Sequence, residues 1–111
     1  MANAFKNAQA VGVGTSEVSV YTAPSSTTTT IVGLSCANVT STSPIKISIR
    51  VNDSSESTHA HVIKNAEIFE GGTLVVVGGD QKLVLETGDI VKVISDTGNS
   101  VDVILSVMEQ T

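Results

Sequence analysis

Ile45-Lys46-Ile47-Ser48-Ile49-Arg50-Val51-Asn52 alternates a branched aliphatic residue with a polar one at every step. Successive side chains of a strand point to opposite faces, so this stretch lays its aliphatics into a core and its polar groups into water. In a helix of about 3.6 residues per turn the same aliphatics would spread around the cylinder. Pro44 bounds the stretch on one side, and the polar run Asn52-Asp53-Ser54-Ser55-Glu56-Ser57 bounds it on the other. A half-buried β-strand is the reading, and it sets the terms for the rest of the chain.

Working outward, pairing is expected to resume over Thr58 to Lys64. Asn65 to Gly72 reads as a connection that drops Ile68 or Phe69 into the core edge. Leu74 to Val77 is apolar in both phases, which predicts a central strand covered on both faces. Leu83 to Glu86 and Ile90 to Ser95 read as the arms of a hairpin turned by Glu86-Thr87-Gly88-Asp89, with Leu83, Leu85, Val91 and Val93 holding the core together. In the last strand, Val101, Val103, Leu105 and Val107 share one face, while Ile104 and Met108 make the other partly apolar.

Towards the N-terminus, Thr15 to Ala23 alternates, with Val18 and Val20 opposed to Ser19 and Tyr21. Thr27-Thr28-Thr29-Thr30 leads into an apolar run and reads as a strand start whose hydroxyls face water. Residues 1–14 hold small residues, amides and one large anchor, Phe5. Such a segment cannot offset its own ordering entropy and needs a surface, from its own domain or from a neighbouring subunit. The predicted architecture is all-β: a single antiparallel β-sandwich, jelly-roll or immunoglobulin-like, over residues 15–111, with an extended N-terminal arm, residues 1–14.

Composition agrees and narrows the function. Of the 111 residues only 15% are charged, well below the usual quarter, and strand-favouring Thr, Ser, Val and Ile stand in their place. The net charge of −5 repels phosphate backbones, so no direct nucleic-acid binding is expected. Three aromatics are too few for a stacking platform. Neither a signal-peptide apolar region nor a membrane span is visible, which predicts a soluble, cytoplasmically made protein with no membrane partner.

Chemistry is hard to find. His59 and His61 are two apart on a strand and could reach one metal ion, but no further ligands with suitable spacing accompany them. Asp80, Glu86 and Asp89 lie near glycines without the ladder of alternate acidic positions that calcium loops use. The Gly12-Val13-Gly14 and Gly71-Gly72 pairs lack the strand–loop–helix setting of phosphate loops. Cys36 is alone among apolar residues and reads as core. Asn38-Val39-Thr40 and Asn52-Asp53-Ser54 match the glycosylation tripeptide by chance. No serine or threonine stands in a nucleophile motif, so no catalytic residue, cofactor or enzyme activity is expected.

The chain as a whole has a familiar pattern. Met1-Ala2-Asn3-Ala4-Phe5-Lys6-Asn7, Val13-Gly14-Thr15-Ser16, Val20-Tyr21-Thr22-Ala23-Pro24 and Thr28 to Leu34 form one part. Val62-Ile63-Lys64-Asn65-Ala66, Val77 to Lys82, Leu85-Glu86-Thr87-Gly88-Asp89 and Ser106-Val107-Met108-Glu109 form the other. Together these turn and strand signatures resemble small virion structural proteins of tailed bacteriophages, of the kind carried by phages of marine and freshwater bacteria. The resemblance implies a non-enzymatic particle component, assembled in the host cytoplasm and located in the virion. It implies other virion proteins as partners, either the major capsid protein or neck and tail proteins, and a homo-oligomer. A capsid decoration (cement) subunit is the leading expectation. A neck, tail or baseplate component or fibre-attachment module is the alternative, and a host-surface or glycan-binding domain is a reading of another class. The partner-binding element expected is the arm, through Phe5, Val11 and Val13.

Overall fold

The computed structural model describes residues 2–40 and 42–111; Met1 of the opening segment and Ser41 of the polar break before Pro44 lie outside them. Nine strands follow in order: β1 (Asn3–Val13), β2 (Val18–Thr22), β3 (Thr28–Asn38), β4 (Ile45–Asp53), β5 (Thr58–Ile68), β6 (Thr73–Val77), β7 (Leu83–Leu85), β8 (Ile90–Ser95) and β9 (Val101–Gln110). They form a five-stranded sheet, β1-β9-β3-β6 with β7 also on β3, and a four-stranded sheet, β2-β8-β4-β5. Every pairing is antiparallel. If β6 and β7 count as one interrupted strand beside β3, this order is that of a jelly roll. Of the two sandwiches left open by the sequence, it is the jelly roll that forms.

The core lies between the sheets and is almost wholly aliphatic. Ile45, Ile47 and Ile49 of β4 are buried, as their alternation predicts, against Val91 and Val93 of β8. From the other sheet come Ile31, Leu34 and Cys36 of β3 and Val101, Val103, Leu105 and Val107 of β9. Leu85 and Val77 close the core from β7 and β6. Among the described residues, no buried side-chain nitrogen or oxygen lacks a hydrogen-bond partner.

Several sequence expectations are corrected here. Leu83–Leu85 and Ile90–Ser95 are not arms of one hairpin: β7 pairs with β3 in one sheet, β8 with β2 and β4 in the other. Glu86-Thr87-Gly88-Asp89 is a crossing between layers, sealed when Gly88 N donates to Ala23 O (3.0 Å) and Ala23 N to Asp89 O (2.9 Å). A short Gly-containing break signals a reversal of direction but not whether the chain stays in its sheet. Leu74–Val77 is not a central strand, because β6 lies at the end of its sheet beside β3 and Val75 points out, 66% exposed. β5 continues through Asn65 to Ile68, with Asn65 absorbing an irregularity at φ 53°. Ile68, not Phe69, enters the core.

Two further corrections concern polar groups. A bulge between Ser19 and Tyr21 breaks the alternation of β2, and Tyr21 thereby turns its hydroxyl in between the sheets. Thr29 does not face water; it is fully buried and its hydroxyl is hydrogen-bonded to Tyr21 Oη at 2.8 Å.

Residues Asn3–Val13, read from sequence as an arm, lie as β1 along β9 of their own domain. The pairing is regular from Asn3 to Ala10 and then shifts, with Val13 rejoining opposite Val101. Gly12 permits that shift with φ of +66°, where a β-carbon would collide with the Asn99 side chain. Its amide donates to Asp102 Oδ1 at 2.9 Å.

Candidate interaction surface

The outer face of the five-stranded sheet can be assembled from the pairing registers. β9 turns Val101, Val103, Leu105, Val107 and Glu109 inward, leaving Asp102, Ile104, Ser106, Met108 and Gln110 outward. Their neighbours on β1 are Gln9, Asn7, Phe5 and Asn3, and on β3 Ala37, Ser35, Gly33, Thr30 and Thr28. Thr73 and Val75 of β6 and Val84 of β7 complete the face. The strands place no lysine, arginine or glutamate on it. Its one charge, Asp102, is occupied by the Gly12 amide.

Large apolar side chains stand out from this neutral ground: Phe5 is 78% exposed, Val75 66%, Val84 63% and Ile104 51%. Between them the small residues Gly33, Ser35, Ala37 and Ser106 leave low ground. One shallow depression of about 290 Å³ lies at its β1 side among Phe5, Lys6, Asn7, Val32, Ser106 and Val107, so the edge lysine borders it. Another, of about 260 Å³, lies among Ser35, Ala37, Thr73, Asp102 and Ile104. A face with exposed apolar knobs, shallow hollows and almost no charge suits a macromolecular contact, because few charged groups must be desolvated.

The four-stranded sheet presents the opposite character. Lys46, Ser48, Arg50 and Asn52 of β4 point outward, beside Lys92 of β8 and Glu67, His61 and His59 of β5. Arg50 donates to Glu17 through Nε (2.7 Å) and Nη2 (2.8 Å) in a two-pronged pair. That hydrogen-bonded guanidinium holds the Glu17 carboxyl below the usual carboxylate range. The sequence periodicity assigns the polar phase of β4 correctly. In the other sheet the sequence signs of an apolar outward phase are Ile104, Met108 and the doubly apolar run Leu74–Val77.

A polar cluster ties β1 to the core edge. Tyr21 Oη donates to Glu109 Oε2 at 2.6 Å, and Lys6 Nζ reaches Glu109 Oε1 at 2.9 Å. Desolvation and the anionic partner push the Tyr21 hydroxyl up to about 12. The tyrosine hydrogen bond, and after it the lysine, hold the Glu109 carboxyl below its ordinary value.

The other candidates are distributed as follows. His59 and His61 are both exposed on β5. His59 is hydrogen-bonded to Asn52 through Nδ1, and His61 stands opposite the Arg50 cation, a poor neighbour for a metal ion. Asp80 is in the β6–β7 turn; the carboxylates that come together are Asp53, Glu86 and Asp89, within 4.8 Å of one another. Asp89 accepts from Ser54 N (3.1 Å) and Glu86 N (3.0 Å), and Asp53 accepts from Ser55 N (3.0 Å) and Glu56 N (3.2 Å). They stabilise turns. Cys36 is buried, and burial pushes its thiol up to about 12. Asn38 is 3% exposed, and its amide donates to Ile68 O at 2.9 Å. Of the expected contact residues, Phe5 and Val11 are exposed and Val13 is in the core.

Comparison with known proteins places the fold. No family model matches the sequence, and no curated protein matches it. Among solved structures, a chain from Bacillus endospore appendages, which form disulfide-linked pili, superposes with a TM-score of 0.55 at 12% identity. That match covers 99% of this chain and 87% of the other. A chain from the acid-stable capsid of the Helicobacter pylori bacteriophage KHP30 superposes with a TM-score of 0.53 at 15% identity, over 98% of this chain and 87% of that one. At these identities the likeness is one of fold. No helix is long and apolar enough to cross a membrane among the described residues.

Proposed function

We propose that this chain is a non-enzymatic structural subunit of a bacteriophage particle, and within the particle a capsid decoration subunit. The observation that carries the reading is the neutral, apolar-studded outer face of the five-stranded sheet, set against a charged face on the other side. A subunit with one adhesive and one solvated face suits lateral or surface attachment to a repeating lattice, where it adds buried interface between neighbours. The sequence resemblance to small phage virion proteins supports the same class. So does a fold shared with one chain of a phage capsid and one of a pilus. On this reading the partners are the major capsid protein and further copies of the chain.

Quantitative mass spectrometry of purified virions tests both class and location. Copies on the order of hundreds support the shell, about six or twelve support a neck or baseplate component, and absence from particles overturns the proposal. Particles lacking the protein should lose resistance to heat; unchanged resistance would remove the decoration role.

A further inference from the structure

We propose that two copies of this chain join through their β1 edges, antiparallel about a two-fold axis at Asn7, so that two five-stranded sheets become one continuous sheet. Thr111 N donates to Ala2 O at 2.9 Å, which fixes the phase of the β1–β9 ladder. Even-numbered residues of β1 bond to β9, so the main-chain N–H and C=O groups of Asn3, Phe5, Asn7 and Gln9 point away from the sheet. An exposed row of this kind is a template for another strand.

The remaining edges are poorer templates. β2 has five residues and a bulge, and β6 and β7 have five and three residues. β5 is long but carries His59, His61, Lys64 and Glu67 and two register shifts. β1 carries a single charge, Lys6, already engaged by Glu109 at 2.9 Å. Two chains that each bear −5 repel in general, so copies must meet where acidic groups are few, and β1 has none.

The edge is also complementary to itself. With Asn7 opposite its symmetry mate, Phe5 faces Gln9 of the second copy, and Lys6 faces Ala8 rather than another lysine. Phe5 then lies diagonal to Val11 of the second copy, within reach of an aromatic side chain. These two residues, 78% and 77% exposed in the single chain, cover each other twice across the axis. A second copy therefore fits this edge without any group being left facing a like charge. The pairing goes beyond the particle reading, and since it is measured on the isolated protein its failure would leave that reading standing.

Sedimentation equilibrium of the full chain, at concentrations up to about 1 mM, should report a monomer–dimer equilibrium. Asn7→Pro deletes an outward N–H without touching the β9 ladder, and should weaken the dimer about tenfold or more while thermal unfolding of the monomer persists. Asn7→Asp changes no ladder bond, places like charges opposite each other and should act in the same direction. Asn7→Cys should give a bridged dimer on oxidation, since paired α-carbons there are about 5.5 Å apart. A chain that stays monomeric throughout, or a dimer indifferent to Asn7→Pro and Asn7→Asp, overturns the proposal. A dimer that Phe5→Cys bridges and Asn7→Cys does not overturns this register.

Discussion

The hydroxyl of Tyr21 donates to the Glu109 carboxylate at 2.6 Å and thereby joins the four-stranded sheet to the five-stranded one. Apart from a second polar tie, the buried Asn38 amide on Ile68 O at 2.9 Å, most of the remaining contact between the layers is through aliphatic side chains, which pack but specify position weakly. Here Thr29 completes the tyrosine at 2.8 Å and Lys6 completes the glutamate at 2.9 Å, so the network is satisfied from three strands of one sheet and one of the other. It also fixes where β1 lies on the sandwich. Tyr21→Phe removes the hydroxyl that both Thr29 and Glu109 use, and should cost about 1–3 kcal/mol. Thermal unfolding would register this as a fall of roughly 4–8 °C per kcal/mol.

The same pair contributes at both ends of the pH range, alongside Glu17, Asp53 and Asp96 on the acid side. Glu109 is held below the model-compound value of 4.5, so its contribution is fully present above that pH and is lost as pH falls through the folded value. Glu109→Gln should flatten the acid limb of the stability curve below pH 4.5 while lowering stability near neutrality. Tyr21 moves the other way, from 10.0 to about 12, so its contribution is full below pH 10.0 and is lost as pH rises through the folded value. As the chain has one tyrosine and no tryptophan, near-ultraviolet absorbance reads this group alone. Tyrosinate should form near pH 10.0 in denaturant and only towards 12 in the folded protein. Coincident titrations in the two states would show the hydroxyl to be free.

Deleting residues 1–14 should destabilise the sandwich rather than merely trim it. Val13 is 2% exposed, Ala8 and Ala10 pack against the core, and Lys6 partners Glu109. Removal would also leave β9 with an open edge in place of β1. The expected outcome is a lower unfolding temperature and concentration-dependent aggregation, read by circular dichroism and light scattering. A truncated chain with unchanged thermal unfolding would mean that β1 is dispensable for the fold.

Period-two patterning made the core strands legible. Ile45, Ile47 and Ile49, and Val101, Val103, Leu105 and Val107, are buried in the phase their sequence assigns. What escaped was whatever depends on which sheet a strand joins. Glu86-Thr87-Gly88-Asp89 reads as a turn in either topology, and only the partners of β7 and β8 reveal a crossing. The Leu74–Val77 run looks doubly covered because an apolar outward phase marks equally a buried strand and an adhesive face. The Tyr21 bulge inverted one side chain and hid the inter-sheet network, which joins positions 88 residues apart. The proposed interaction face was least legible: it draws Phe5, Val75, Val84 and Ile104 from separate strands, and its defining property is scarce charge.

That face yields the most direct test of the proposed attachment. Ile104 is 51% exposed on the outer side of β9, with Gln9 beside it on β1 and Ser35 beside it on β3. Val75 neighbours Ser35 from β6 and is 66% exposed. Ile104→Lys and Val75→Lys remove little buried area from the isolated chain, so each should change its stability by no more than about 0.5 kcal/mol. In a contact that buries this face, each would strand a charge without a partner and should cost roughly 2 kcal/mol or more of binding. The double variant should therefore fold like the parent yet fail to incorporate into particles, measured by immunoblotting purified virions. As a control, Lys46→Ala and Lys92→Ala on the charged face should incorporate normally. If the charged-face variants fail and Ile104→Lys is incorporated, the adhesive surface is the four-stranded sheet.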